Sequence, residues 1–125
     1  MNRLLIPLLV INALTTACNP DMSSPEARHT ALKTVLRNGI KECIVRDLDN
    51  QTTKFNDAPS FSQSTRASRF MIQPIDPNSC FKAKATLKNN LETWYQIDFN
   101  IMTNKVSKTC GDPSKLGCDE GNTWE

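Results

Sequence analysis

Hydrophobic positions follow a helical period in the first half of the chain. Ser24, Pro25 and Glu26 supply an N-cap, a proline at the first helical position and an acid in the first turn, so a helix is predicted to begin there. In the following stretch, apolar residues recur at steps of three and four, at Leu32, Val35, Leu36, Ile40 and Cys43. The pattern predicts one amphipathic helix.

The second half alternates instead, as half-buried antiparallel strands do. In one run the apolar positions are Phe81, Ala83, Ala85 and Leu87, between Lys82, Lys84 and Lys88. In the next run the apolar face carries Leu91, Tyr95, Ile97, Phe99 and Ile101. Turns at 88–90 and 103–105 and a further strand in KVSKTC complete a meander. Residues 25–125 are therefore predicted to form an α+β domain, with the helix packed on three or four antiparallel strands.

The segment between the two halves is polar and carries a weaker pattern. Residues 47–77 are rich in Asn, Ser, Thr and Asp and are predicted to be a long loop, with a short strand near Thr53–Asn56. Residues 69–73 predict an edge strand, which Pro74 and Pro77 stop.

Two helix residues raise the question of a special role. Gly39 lies on the apolar stripe, where glycine costs about 1 kcal/mol relative to alanine. A close approach of helix to sheet explains it, and a hinge is the functional alternative. His29 is the only histidine and has no second His or Cys-x-x-Cys at metal-ligand spacing. We predict a solvated helix residue and no metal site.

The chain begins with the features of a secretory signal: Arg3, an apolar stretch over Leu4–Leu14, then small residues. That stretch is about half of the roughly 20 apolar residues that a membrane-spanning helix needs. Residues 1–17 are predicted to be a cleaved signal peptide, and residues 18–24 a polar tether.

Cys18 is a candidate for lipid attachment. The run LTTAC at positions 14–18 resembles a bacterial lipobox, with Thr15 where that motif usually has leucine. Lipidation would anchor the protein to a membrane as a periplasmic or outer-membrane-associated lipoprotein. An ordinary cut after Ala17, which would release an extracellular or periplasmic protein, is the alternative.

Four of the five cysteines remain once Cys18 is set aside, and an exported chain meets an oxidising compartment where they can pair. A local bridge between Cys110 and Cys118 would close the loop at the end of the last strand. A bridge between Cys43 and Cys80 would then link the helix to the sheet. The sequence leaves the other two pairings open.

The composition and motifs point to no catalytic activity and no nucleic-acid or phosphate binding. The 15 Lys and Arg and 13 Asp and Glu are scattered, which gives a net charge of +2 and no basic block for nucleic acid. No histidine-based nucleophile constellation or glycine-rich phosphate loop occurs, and Glu92 and Asp98 are predicted to lie on a solvated strand face. We predict a protein that is not an enzyme and needs no cofactor.

Two tryptophans and two loop residues form a candidate interaction surface, because tryptophan is enriched at binding hot spots. Trp94 lies on the polar face of its strand, where it is either exposed or covered by the C-terminal segment. Trp124 is predicted to fold back onto the domain. Asp112 and Lys115, in the loop between the last two cysteines, complete the set.

Residues 27–124 resemble the globular part of type IV pilins and pilin-like proteins of the cyanobacterial sort. The resemblance lies in NGIKECIVRDLDNQTTKFNDAPSF, SCFKAKA, TWYQIDF and SKTCGDPSKLGCDEGNTW. It implies a helix followed by a meander, and a disulfide-closed C-terminal loop that contacts neighbouring proteins.

The chain departs from the pilin pattern at its start. A pilin has a short basic leader ending in Gly and then a long hydrophobic helix with an acidic residue, whereas this apolar start is broken by Pro7 and ends in the Cys18 motif. The expectation is a re-anchored or released pilin-like envelope protein, accessory or adhesive, with pilus or secretion-system partners. A free-standing exported lipoprotein that binds another ligand is the alternative.

Overall fold

A computed structural model describes residues 25–63, 70–112, 117–119 and 121–125. A long helix opens the described chain, two short helices follow, and a four-stranded sheet completes it. The elements are α1 (Pro25–Leu48), a 3-10 helix (Phe55–Asp57), α2 (Pro59–Gln63), β1 (Phe70–Pro74), β2 (Lys82–Leu87), β3 (Asn90–Asn100) and β4 (Lys105–Gly111). The predicted signal peptide, tether and Cys18 lie outside the described residues, as does Lys115.

The sheet is a meander in which every strand pairs antiparallel with its neighbour in sequence, in the order β1-β2-β3-β4. This confirms the α+β prediction, and the sheet has four strands in the part of the chain that the structure describes. β1 lies at one edge of the sheet, as predicted, but Pro74 does not stop it: the strand runs over Phe70–Pro74, and Pro74 pairs with Ala83. The partner of each strand is thus always the next one along the chain.

The core lies between α1 and one face of the sheet, which we call the inner face. The helix buries its predicted stripe at Leu32, Leu36, Ile40 and Cys43. Against it the sheet buries Ala83 and Ala85 of β2 and Tyr95 and Ile97 of β3. Two alanines in the middle of the sheet leave room for the helix. Apolar burial of this kind stabilises by roughly 25 cal/mol per Å² of surface removed from water.

The predicted alternation of β3 holds in the middle of the strand and fails at its ends. Tyr95 and Ile97 are buried, whereas Leu91 is 66% exposed beside the β2–β3 turn. Ile101 is also exposed because it belongs to the β3–β4 turn rather than to the strand. Periodicity alone does not show where a strand leaves the cover of the helix.

The predicted strand near Thr53–Asn56 is wrong, because residues 53–54 belong to no strand and a 3-10 helix begins at Phe55. The Lys54 amide donates to Asp57 Oδ2 at 2.9 Å, which closes the 3-10 helix. Pro59 then begins α2, a position that suits proline. The amide and hydroxyl of Ser60 donate to the Glu42 carboxylate of α1 at 2.8 and 2.7 Å.

Gly39 does mark a close approach, but its neighbour is α2 rather than the sheet. A β-carbon at this position would overlap the ring of Phe61. That ring is 1% exposed and stacks on Phe55, with centroids 5.2 Å apart and planes 8° from parallel. The missing side chain therefore makes room for an aromatic pair that extends the core beside the helix.

Both predicted disulfides are present. Cys43 of α1 is bonded to Cys80, just before β2, and Cys110 of β4 is bonded to Cys118. The first fastens the helix to the sheet, and the second closes a short loop after the last strand. Within the described residues, no helix is both long and apolar enough to cross a membrane.

Candidate functional site

A buried polar cluster joins the helix, the sheet and the disulfide loop. His29 comes from the second turn of α1, Tyr95 from the middle of β3, and Asp112 from the position directly after β4. His29 Nδ1 contacts the Tyr95 hydroxyl and lies 3.2 Å from Asp112 Oδ2. The Tyr95 hydroxyl also donates to Asp112 Oδ2 at 3.3 Å. Three elements distant in sequence thus meet in one hydrogen-bonded triangle, which we call the His–Tyr–Asp cluster.

Burial sets the protonation of the His–Tyr–Asp cluster. Desolvation lowers the pKa of His29; Lys33 and Arg28 act in the same direction, and together these effects outweigh the attraction of Asp112. Burial, followed by the negative charge of Asp112, raises the pKa of Tyr95. Histidine and tyrosine are therefore both neutral at pH 7. A proton on His29 Nδ1 suits this geometry, because the carboxylate can only accept.

The prediction that His29 is solvated is wrong, since its exposed fraction is 6%. A signal was available in the sequence. His29 precedes Leu32 by three residues and Leu36 by seven, so it falls on the same helical face as the core residues. The partners Tyr95 and Asp112, 66 and 83 positions away, could not be paired with it from the sequence.

The return arm of the disulfide loop closes over the cluster. A β-carbon on Gly117 would lie 2.7 Å from the Tyr95 hydroxyl oxygen and 3.1 Å from Lys33 Nζ. Glycine at this position thus lets the backbone pass directly above the tyrosine hydroxyl. With the Asp112 side chain 0% exposed, both arms of the loop are held against the domain just inside their cysteines.

Trp124 folds back onto the domain, as predicted. Its indole Nε1 donates to the carbonyls of Gln96 and Thr109, at 3.1 and 2.9 Å. The ring packs edge-on against Tyr95, with centroids 5.9 Å apart, and Arg37 lies 5.3 Å from the ring centroid. The C-terminal segment therefore covers the part of the inner face that lies beside the helix.

The C-terminal segment also pairs with β4. Thr123 bridges Thr109 in antiparallel fashion, and the Cys110 amide donates to the Asn122 carbonyl at 2.9 Å. Part of the outer edge of β4 is thereby paired, which lowers the tendency of an edge strand to recruit other chains.

Trp94 lies on the opposite, outer face of the sheet and is half-buried. Its indole covers Gly111 on β4, where a β-carbon would lie 2.5 Å from Trp94 Nε1. Lys84 Nζ of β2 sits 4.6 Å from the ring centroid, a cation–π distance. The indole thus links three strands on the solvent side.

The predicted interaction residues are divided between two faces. Asp112 and Trp124 are brought together around Tyr95, with both side chains buried, whereas Trp94 lies on the outer face and Lys115 is outside the described residues. Binding through these residues stays a prediction.

Among the described residues, no group of His, Cys, Asp and Glu could hold a metal ion. Comparison of the chain with protein-family models, curated proteins and solved structures finds no match.

Proposed function

We propose that this chain is a non-enzymatic, exported envelope protein with a pilin-like domain, which acts by protein contact in an accessory or adhesive role linked to a type IV pilus or a type II secretion system. One observation carries the proposal. An N-terminal helix packs on an antiparallel meander, and a disulfide-closed loop after the last strand is tied back to that helix. Helix, meander and loop follow the order that the pilin resemblance implies.

The described flanks of the loop support a contact role. The Cys110–Cys118 bond, the buried Asp112 side chain and the close passage of Gly117 fix both arms of the loop. Ordering a binding segment opposes association, so a loop whose ends are held in advance binds with a smaller entropic cost. Partners would be pilus or secretion-system proteins that recognise this end of the sheet.

The second candidate function is a free-standing lipoprotein that binds another ligand in the periplasm or outside the cell. The lipobox-like run ending at Cys18 favours it, because a lipid there would hold the domain at a membrane. The two candidates differ in their partners and share the same fold.

Isolation of the native protein separates the two candidates. We expect it to co-purify with sheared pili or with secretion complexes, and to be lost from them in a strain that lacks the major pilin. Pili and secretion complexes free of the protein would contradict the pilin-like role and leave the free-standing lipoprotein. Intact mass of the mature chain tests the anchor separately, with Cys18→Ala as the unlipidated control.

A further inference from the structure

Exposed apolar side chains gather at one end of the described domain. Of the seven large hydrophobic residues that are exposed there, six lie at the end where α1 finishes, β1 finishes and β3 turns into β4: Val45, Leu48, Ile75, Ile101, Met102 and Val106. The Cys43–Cys80 bond and the pairing of Lys82 with Asp98 bring these elements together. Only Leu91 lies at the opposite hairpin.

The β3–β4 turn presents the most exposed of these side chains. Met102 is 90% exposed, next to Ile101 at 40%, and Val106 follows on the adjoining strand at 50%. Together these three residues form what we call the apolar tip. Ile101 and Met102 lie beyond the last strand pair, Asn100 with Lys105, and Val106 pairs with Phe99 just inside it.

Local hydrogen bonds hold the apolar tip in shape. Asn100 Oδ1 accepts from the amides of Met102 and Thr103 at 3.0 and 3.2 Å. Asn104 adopts a φ of 56°, in the left-handed region that asparagine tolerates better than most residues. Met102 is therefore presented to solvent by an ordered turn, and little further ordering is needed when a surface is met.

The charge carried by the β3–β4 hairpin beyond Asp98 has one sign, whereas the acids Asp47, Asp49 and Asp76 at this end of the domain belong to the end of α1 and to the β1–β2 connection. Residues 99–110 contain Lys105 and Lys108 and no acidic residue. The nearest preceding acid, Asp98, is itself paired with Lys82 at 3.8 Å. An apolar tip with basic residues behind it complements a surface whose interior is apolar and whose boundary is negatively charged.

From these observations we infer that the β3–β4 hairpin is a membrane-contact element that inserts Ile101 and Met102 among the headgroups of an anionic lipid surface. A stable protein interface of standard size uses about 20–30 residues on each side, far more than the three residues of the apolar tip. A lipid interface, in contrast, accepts a few apolar side chains to a depth of about 5–10 Å, with lysines at the charged boundary.

The hairpin and the start of α1 lie at opposite ends of the domain. His29, near the start of α1, lies at Tyr95 and Asp112, whereas Cys43, near its end, is bonded beside β2. At 1.5 Å per residue, the 24 residues of α1 span about 36 Å. The hairpin thus contacts lipid at the end of the domain away from the start of the helix. The inference does not depend on the pilus-linked role.

Vesicle co-sedimentation tests the inference with the complete exported chain carrying Cys18→Ala, which removes the predicted lipid as a source of binding. Probes are phosphatidylcholine vesicles with and without about 30% phosphatidylglycerol. We expect binding to the anionic vesicles that weakens as salt is added. We expect Met102→Asp to lower the partition coefficient about tenfold or more, because transfer of a methionine side chain from water into an apolar environment favours binding by at least that factor. Lys105→Gln should lower it about fivefold.

The matched control is Leu91→Asp, an equal change at the exposed hairpin of the opposite end, which should leave binding unaltered. Circular dichroism checks that each variant folds, as expected for substitutions of exposed side chains. No binding to anionic vesicles, equal binding to both vesicle types, or equal losses in Met102→Asp and Leu91→Asp would each overturn the inference. So would a requirement for Met102 in pilus or secretion-complex association without any effect on vesicles.

Discussion

Substitution of Gly39 by alanine sets two effects of known size against each other. In an exposed helix interior, Gly→Ala stabilises by about 1 kcal/mol, because glycine loses more backbone entropy on folding. Here the new methyl group meets the ring of Phe61, which is buried and stacked on Phe55. The outcome depends on whether that aromatic pair can move.

The geometry indicates that the clash is the larger effect. The overlap involves three atoms of a stiff ring whose other face is already covered, so α2 must shift away from α1. Overpacking of a core in this way costs about 1–3 kcal/mol. After subtracting the helix propensity gain, Gly39→Ala should lower the free energy of unfolding by about 1 kcal/mol.

Urea denaturation of four variants tests this reasoning. Asn38→Ala, at the exposed neighbouring position, should stabilise by about 0.5 kcal/mol from propensity alone. Phe61→Leu removes the ring, and in that background Gly39→Ala should become stabilising by about 1 kcal/mol. If Gly39→Ala raises the stability of the otherwise unchanged protein as much as it does in the Phe61→Leu background, the close contact does not govern this position.

Two further predictions concern the disulfides and the buried histidine. In the chain-entropy model, a disulfide stabilises more when it closes a longer loop, and these bonds span 37 and 8 positions. The double variant Cys43→Ser/Cys80→Ser should therefore lower the free energy of unfolding by about 4 kcal/mol, and Cys110→Ser/Cys118→Ser by about 2.5 kcal/mol. Thermal unfolding that ranks the two variants in the opposite order would contradict this expectation. The pKa of His29 is lower in the folded state than its unfolded value of 6.5. The stability that the neutral histidine contributes is therefore fully present above pH 6.5 and is lost as the pH falls through the folded-state pKa. His29→Gln should flatten the acid-side slope of stability against pH, and an unchanged slope would show that other groups cause it.

The parts of the fold visible in the sequence are those governed by local periodicity. The stripe of α1 and the alternation of β2 and β3 record which side of each element is buried, so the helix-on-meander arrangement follows from them. Periodicity misses α2 because its first turn is held by Glu42 of α1, 18 positions before Ser60. A short polar segment carries no trace of a partner that lies on another helix.

The candidate site is visible in the sequence only in pieces. The disulfide loop and the return of Trp124 can be expected from cysteine spacing and the apolar character of tryptophan. The burial of Asp112 cannot, because an aspartate between Gly111 and Pro113 has the appearance of an ordinary turn residue. Its role depends on His29 and Tyr95, which come from other elements.

Among the four cysteines that follow Cys18, the two disulfides join neighbours in sequence, Cys43 with Cys80 and Cys110 with Cys118. A chain is synthesised from its N-terminus, so Cys43 and Cys80 emerge together before Cys110 appears. Four cysteines allow three pairings, and here the native one is obtained when each of these thiols bonds to the first partner that becomes available. For these four cysteines, oxidation in the order of emergence therefore favours the native bonds over the two crossed pairings.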